Sequence, residues 1–242
     1  SDLIAWNRYP GWYFGVKEDM GADLDKNHAG DDRPFGISEY GIGSNPRNHV
    51  DKATNADKSM TVQSEEYQNI CQESFIEQID DRSYLWATFH WNMFDFSYDM
   101  RAEGGLAGVN TKGLVTRDRQ VKKDSFYLYK ANWSSDPLVY ISSRRHTARQ
   151  NSPVEIKGYS NCDSVELSVN GRVIGRLTQE DLAQQTVFLW EDVALKNGRN
   201  TIVMKAEKDG ETYTDTVVWE KSASADTSLW SDVLLVDSAA NT

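Results

Sequence analysis

Apolar positions in roughly the first 133 residues gather in short unbroken runs, separated by stretches of helical period. Residues 3–6 form one such run, and residues 18–28 suit a helix behind it. Pro34-Phe35-Gly36-Ile37-Ser38 is a second run and Leu85-Trp86-Ala87-Thr88-Phe89 a third. Between them Ser64 stands where a helix N-cap would, and Glu65 and Glu66 suit the positive end of the helix dipole. Tyr67, Ile70, Cys71, Phe75 and Ile79 then share one helical face. A last helix is expected over 122–130. Apolar runs without alternation predict parallel strands buried on both faces and joined by right-handed crossovers.

From about residue 137 the period changes to two. Strands are expected at 138–142, 153–159, 164–169, 172–177, 186–190, 200–207 and 211–219. Asn170-Gly171 and Asp209-Gly210 each carry the two-residue type I′ hairpin signal. Short antiparallel strands at this spacing predict an immunoglobulin-like sandwich over 135–221. The preceding α/β part, residues 1–134, has long loops at 40–63 and 90–118. Such loops after parallel strands are where barrel enzymes hold their chemistry. A complete (β/α)8 barrel needs roughly 250 residues, so 1–134 would be a partial TIM barrel. Residues 222–242 start as a small-residue linker and read either as a docking tail or as the start of a further domain.

Charge narrows the partners. Against 26 lysines and arginines stand 37 aspartates and glutamates, a net charge of −11 in 242 residues. Mean hydropathy is −0.64. Nucleic-acid binding needs clustered positive charge, and none is expected here. No apolar run reaches the ~20 residues of a bilayer-spanning helix, so no membrane partner is expected. The chain opens Ser1-Asp2-Leu3 and reads as cut from something longer; its compartment stays open between bacterial cytoplasm, periplasm and secretion. Cys71 and Cys162 read as buried, unpaired thiols. Eight tryptophans and 11 tyrosines supply flat surfaces with polar handles, which suit sugars as well as cores.

Glu39 follows the second run and precedes Tyr40-Gly41-Ile42-Gly43, placing a carboxylate at a strand end before a sharp turn. Gly36-Ile37-Ser38-Glu39-Tyr40-Gly41 resembles the nucleophile motif of glycoside hydrolase family 2, which holds β-galactosidases, β-glucuronidases and β-mannosidases. Asn7-Arg8-Tyr9-Pro10-Gly11-Trp12-Tyr13 resembles that family's strand-6 motif, and Trp91-Asn92-Met93-Phe94-Asp95-Phe96 its strand-8 motif. Gly113-Leu114-Val115-Thr116-Arg117-Asp118-Arg119, leading to Lys130-Ala131-Asn132-Trp133, resembles the segment that closes the barrel. The resemblance covers nearly all of 1–134.

It implies strands 6–8 of a catalytic barrel with their helices, followed by an accessory sandwich. Glu39 would be the nucleophile of a retaining exo-β-glycosidase, and Tyr9 would donate a hydrogen bond to it. Asn7, Trp91, Asn92 and Asp95 would shape the sugar subsite, Trp91 as an apolar wall. Which of His90 and Trp91 faces the pocket stays open. The family's acid/base glutamate follows an asparagine, and no Asn-Glu dipeptide occurs in this chain. The missing N-terminal part of the same enzyme is therefore the expected partner, with an oligomer possible. Asn110-Thr111-Lys112 matches the Asn-x-Lys position that binds the sugar carboxylate in β-glucuronidases, and an ammonium is the right device for it. A lysine bound to a neighbouring carboxylate is equally compatible. The substrate expected first is a terminal β-galactoside, with a β-glucuronide as the alternative. A third reading is a non-catalytic carbohydrate-binding piece, using Tyr159, Trp190, Tyr213 and Trp219 of the sandwich. His28, His49 and His146 suggest no ligand set, and no cofactor or metal is expected, although some relatives use Mg²⁺ or Na⁺.

Overall fold

The computed structural model describes residues 1–57 and 62–223. The chain divides into two compact units, one of Ser1–Asn48 and Lys52–Gln120, the other of His49–Asp51 and the chain from Val121. The expected tail at 222–242 lies almost wholly outside the described residues.

In the first unit, β1 (Ile4–Asn7), β2 (Phe35–Tyr40) and β3 (Leu85–His90) form a parallel sheet in the order β1-β2-β3. The crossovers carry α1 (Met20–His28) and α2 (Glu65–Asp80). Phe35 and Ile37 of the central strand are fully buried. α2 starts as the sequence predicts: the Ser64 hydroxyl accepts from the Tyr67 backbone N–H at 3.2 Å. Its buried apolar face is Tyr67, Cys71, Phe75 and Ile76. Ile70 and Ile79, expected on that face, are half-buried, and Ile76 replaces them.

Two expectations need correction in this unit. The outer strands are not buried on both faces: Trp6 is 51% and Phe89 53% exposed, and Trp86 is exposed too. Among the described residues no second layer covers them, so only β2 has the double burial that the apolar runs imply. The stretch 90–118, read as loop, contains an antiparallel hairpin of β4 (Phe96–Glu103) and β5 (Leu106–Asn110). Its turn is Gly104-Gly105, both at positive φ (58° and 77°), a conformation that glycine adopts without a Cβ clash. The tip is tied down where the Asn45 side-chain amide donates to the Gly104 carbonyl at 2.6 Å.

The second unit begins with α3 (Asp124–Trp133), followed by β6 (Val139–Ile141), β7 (Ala148–Arg149), β8 (Val154–Ser160), β9 (Ser164–Val169), β10 (Arg172–Thr178), β11 (Val187–Val193), β12 (Gly198–Lys208) and β13 (Glu211–Lys221). The sheets run β10-β9-β12-β13-β7 and β11-β8-β6. Their inner faces share one core, including Ile156, Val165, Leu167, Phe188, Ile202 and Met204. The seven expected strands are all present, and β7 is an added two-residue strand too short to show a period. Asn170 and Gly171 (φ 53° and 80°) and Asp209 and Gly210 (φ 52° and 81°) have the paired positive angles of type I′ turns. α3 groups with this unit: Tyr127 stacks on Tyr140 at 3.7 Å, and the Tyr140 hydroxyl donates to Asp124 at 2.6 Å.

The aromatic residues proposed as a sugar-binding face of the sandwich are interior. Tyr159, Trp190 and Trp219 are buried, and Tyr213 packs against the core. Arg149 lies 4.0 Å over the Trp219 ring. Cys71 and Cys162 are buried free thiols.

Candidate active site

The sheet register sets the site. Asn7 at the end of β1 pairs with Glu39 near the end of β2, and Tyr40 pairs with His90 at the end of β3. The Arg8 backbone N–H donates to the Glu39 carbonyl at 2.7 Å, which holds the two strand ends together beyond the regular ladder. Gly41 follows at φ 153°, and a Cβ there would lie 2.3 Å from the Trp91 carbonyl oxygen. Only glycine allows the chain to turn away this close to β3.

A cavity of about 450 Å³ opens at these strand ends. That volume falls within the usual range for small-molecule sites. Asn7, Tyr9 and Tyr13 line one part, Glu39 and Trp91 another, and Asn110 and Lys112 a third. Phe96, Tyr98 and Arg101 enter from the hairpin. Of the sequence-expected residues, Asn7, Tyr9, Glu39, Trp91, Asn110 and Lys112 therefore meet. Trp91, not His90, faces the cavity: His90 lies behind it, its Nε2 at 3.0 Å from Gln72 Nε2 and its ring edge-on to Tyr40. Trp91 itself sets its ring edge-on to Phe96 at 6.0 Å.

Asn92 and Asp95 do not line the cavity, which corrects their expected place on its floor. The Asn92 side chain donates to the Phe94 carbonyl at 2.7 Å, closing a local turn. Asp95 is buried and accepts from the Gly113 backbone N–H at 2.8 Å. Both pin the segment after β3 to the Lys112-Gly113 turn, with the Asn92 N–H donating to the Lys112 carbonyl at 3.1 Å. They act on the geometry of the wall and not on its surface.

The Tyr9 hydroxyl donates to Glu39 Oε2 at 2.7 Å. Burial, then that hydrogen bond, pushes the Tyr9 phenol well above its ordinary range, so it stays a donor. Lys112 is buried under a cage of rings, with Nζ 4.4 Å from the Trp12 centroid and 5.2 Å from that of Tyr13. Asn110 shapes its turn, the Oδ1 accepting from the Lys112 backbone N–H at 3.1 Å. Arg101 donates to the Tyr13 hydroxyl at 2.9 Å, and Lys112 Nζ reaches the same oxygen at 3.4 Å. Burial pushes Tyr13 up, but the Arg101 hydrogen bond and the Lys112 charge outweigh it and hold the phenol below its ordinary value. The cavity thus sets one carboxylate with a fixed donor against two cations. Such a set can attack an electrophilic carbon and hold an anionic group beside it.

Tyr13, Phe96, Tyr98 and Arg101 were not singled out from sequence. Tyr13 and Phe96 lie inside the motifs quoted above. Tyr98 stands two residues from Phe96, so a hairpin reading around Gly104-Gly105 would have put both on one face. The histidine reading also changes. His49 and His146, in which the sequence suggests no ligand set, stack in the second unit at 5.2 Å, with His146 Nε2 3.8 Å from Asp51. His28 stacks on Tyr84 at 4.0 Å.

Comparison with known proteins agrees on one family. The family described as a domain of unknown function (DUF4982) matches residues 151–214. A β-glucuronidase of Bacteroides fragilis is 37% identical over 204 residues, covering 84% of this chain and 29% of that protein. The crystal structure of an FMN-binding β-glucuronidase from Faecalibacterium prausnitzii L2-6 superimposes with a TM-score of 0.84 at 40% identity, over 95% of this chain and 34% of that one. A Bacteroides fragilis structure assigned provisionally as a β-galactosidase gives a TM-score of 0.84 at 29% identity, over 91% of this chain and 33% of that one. The chain therefore spans about a third of the length of these relatives. With the Glu39, Tyr9 and Asn-x-Lys positions gathered at one cavity, it belongs to glycoside hydrolase family 2.

Proposed function

We propose that this chain is the nucleophile-bearing part of a retaining exo-β-glycosidase, with residues 1–134 as strands 6–8 of its barrel and 135–221 as an immunoglobulin-like accessory domain. Glu39 attacks the anomeric carbon, the bond to the aglycone oxygen breaks, and an ester-linked glycosyl-enzyme forms. Water then cleaves that ester and restores the carboxylate. Tyr9 orients Glu39 Oε2 and stabilises its negative charge between turnovers. Trp91 offers a wall to the apolar face of the sugar, and Asn7 a polar edge. Departure of the aglycone needs a second carboxylate as proton donor, about 5–5.5 Å from the first. This chain has no Asn-Glu dipeptide to supply it, so it comes from the remaining two-thirds of the enzyme.

The substrate is a β-glucuronide in preference to a β-galactoside, which reverses the order expected from sequence. The observation that supports this reading is that Lys112 and Asn110 line the same cavity as Glu39. A galactoside offers a neutral hydroxymethyl group there, which gains less from a neighbouring ammonium than a carboxylate does. The relatives named β-glucuronidases point the same way. The β-galactosidase reading keeps the support of one structural relative.

Incubation with 2,4-dinitrophenyl 2-deoxy-2-fluoro-β-glucuronide and its galactoside counterpart, read by intact mass, tests both levels. This leaving group departs without acid assistance, so the second carboxylate is not required. Stoichiometric labelling by the glucuronide, lost in Glu39→Gln, is expected. Labelling by the galactoside alone would reverse the substrate assignment, and labelling that survives Glu39→Gln would remove Glu39 from its role.

A further inference from the structure

The hairpin β4–β5 does more than fill a loop. Its first strand sends Arg101 into the cavity wall, where the guanidinium donates to the Tyr13 hydroxyl at 2.9 Å while Lys112 Nζ approaches that oxygen from 3.4 Å. Tyr13 belongs to the loop after β1 and Lys112 to the turn after β5, so three separate segments converge on one phenolic oxygen. Lys112 alone sits deep among the rings of Tyr9, Trp12 and Tyr13. Arg101 is half-buried, with its guanidinium 5.6 Å from the Tyr98 ring, and is the cation nearer the opening.

We propose that Arg101 is a specificity-determining residue: together with Lys112 it receives the C6 carboxylate of the sugar, with Tyr13 as the shared hydrogen-bonding group between them. This rests on the glucuronide reading above. The physical case is one of geometry and charge number. A guanidinium presents planar paired donors that match a carboxylate, whereas an ammonium is a point charge. A single buried lysine must desolvate its anion alone. Two cations on either side of a phenol can hold both carboxylate oxygens while the ring keeps water out. The pairing also discriminates: a neutral sugar leaves both cations with their present partners and gains nothing from either.

Arg101 is placed by contacts outside the cavity. The hairpin tip is held at the Gly104 carbonyl, which accepts from the Asn45 side-chain amide at 2.6 Å and from that of Asn48 at 3.2 Å. Neither asparagine lines the cavity. Asn45, in the loop that follows Glu39, is thus a positioning residue for the arginine.

The test uses the intact enzyme that carries this segment, with 4-nitrophenyl β-D-glucuronide and 4-nitrophenyl β-D-galactoside side by side. Arg101→Gln should raise KM for the glucuronide at least tenfold and leave the relative rate on the galactoside within about twofold. Arg101→Lys should recover part of the loss, because charge returns without the paired donors. Asn45→Ala should raise KM for the glucuronide by a smaller factor with kcat held. Equal losses on both sugars in Arg101→Gln, at unchanged melting temperature, would make Arg101 a structural residue and overturn this proposal while leaving the glucuronide reading intact. A wild-type enzyme that turns over the galactoside and not the glucuronide would overturn that reading first, and the role of Arg101 with it.

Discussion

The hydroxyl of Tyr9 and Oε2 of Glu39 stand 2.7 Å apart although 30 residues of chain separate them. The parallel pairing of β1 and β2 brings them together, since Asn7 and Glu39 are register partners and Tyr9 lies just past the strand end. A hydrogen bond to a charged group contributes about 1.5–3 kcal/mol. The bond acts on the rate by orienting Oε2, and a misplaced reacting group can cost about 100-fold, so Tyr9→Phe should lower the rate of glycosyl-enzyme formation roughly 10- to 100-fold. Pre-steady-state labelling with the fluorosugar measures it, and an unchanged rate would make Tyr9 only a wall of the cavity.

Tyr9 and Tyr13 are neighbours whose rings meet edge-on at 5.3 Å, yet their phenols are pushed in opposite directions. For Tyr9, burial and the Glu39 carboxylate both oppose the phenolate. For Tyr13, burial is outweighed by Arg101 and Lys112, which stabilise the phenolate. On raising the pH, Tyr13 should lose its proton below the ordinary tyrosine value near 10, and Tyr9 should not titrate there at all. A folded-state value below the unfolded one adds stability at pH above it, so Tyr13 contributes only on the alkaline side and nothing near neutrality. Tyrosine ring-carbon NMR of wild type and Arg101→Gln checks this: the variant should move the Tyr13 midpoint upward.

What was legible in the sequence follows from which forces act locally. The Ser64 cap and the two type I′ turns are local chemistry, and each is where the residues place it. The strands of the sandwich announce themselves by alternation because one face of each meets a core. The hairpin at Phe96–Glu103 and Leu106–Asn110 was not legible as strand, because its polar residues break the period and its register is irregular between Ser97 and Ala102. That same irregularity carries Arg101, so the residue nearest to a new role was hidden with it. Asn92 and Asp95 were legible as important and wrong in place. A motif names residues that must stay together, and it does not say which of them face the cavity and which hold the wall.

The wall itself has a tight point. A Cβ on Gly113 would lie 2.0 Å from the Asp95 backbone nitrogen and 2.4 Å from the Phe94 carbonyl carbon, both main-chain atoms that cannot move aside. Gly113→Ala should cost about 1–3 kcal/mol in stability and shift Lys112 away from the Tyr13 oxygen. The expected signature is a larger loss on the glucuronide than on the galactoside, read as kcat/KM on both. A variant with wild-type ratios would show that the turn relaxes without moving Lys112.

Trp6, Trp86 and Phe89 make the outer strands of the parallel sheet apolar and exposed. Among the described residues β1 and β3 each keep one unpaired edge, and such edges beside exposed apolar residues invite association. This chain alone should bind a hydrophobic dye such as ANS and associate at micromolar concentration. Replacing both Trp6 and Phe89 by glutamine should reduce dye binding severalfold. In the intact enzyme the proposed missing strands would cover these positions, so the same pair of substitutions there should destabilise it instead. Opposite signs in the two contexts are the expected result, measured by fluorescence and by thermal unfolding; equal signs would argue that the sheet is not continued by further strands.

In the second unit the helix α3 is held to the sandwich by charge as well as by ring stacking. Asp124 is fully buried and accepts from the Tyr140 hydroxyl at 2.6 Å and from the Arg145 guanidinium at 2.6 Å. Arg145 is itself buried, so Asp124→Ala takes an anionic partner from a cation in a dry place. Breaking a buried pair from one side costs about 3–5 kcal/mol, far more than a surface pair of the same length. Tyr140→Phe, by contrast, removes one donor and leaves the ion pair, for a cost of about 1–2 kcal/mol. Asp124→Ala should therefore lower the urea midpoint by more than about 1 M, with Tyr140→Phe well short of that. The surface pair Arg176–Glu207 is the control, and Glu207→Ala should change stability by less than about 1 kcal/mol. If Asp124→Ala and Glu207→Ala shift the midpoint equally, the attachment of α3 rests on the Tyr127–Tyr140 stack and not on the buried charge.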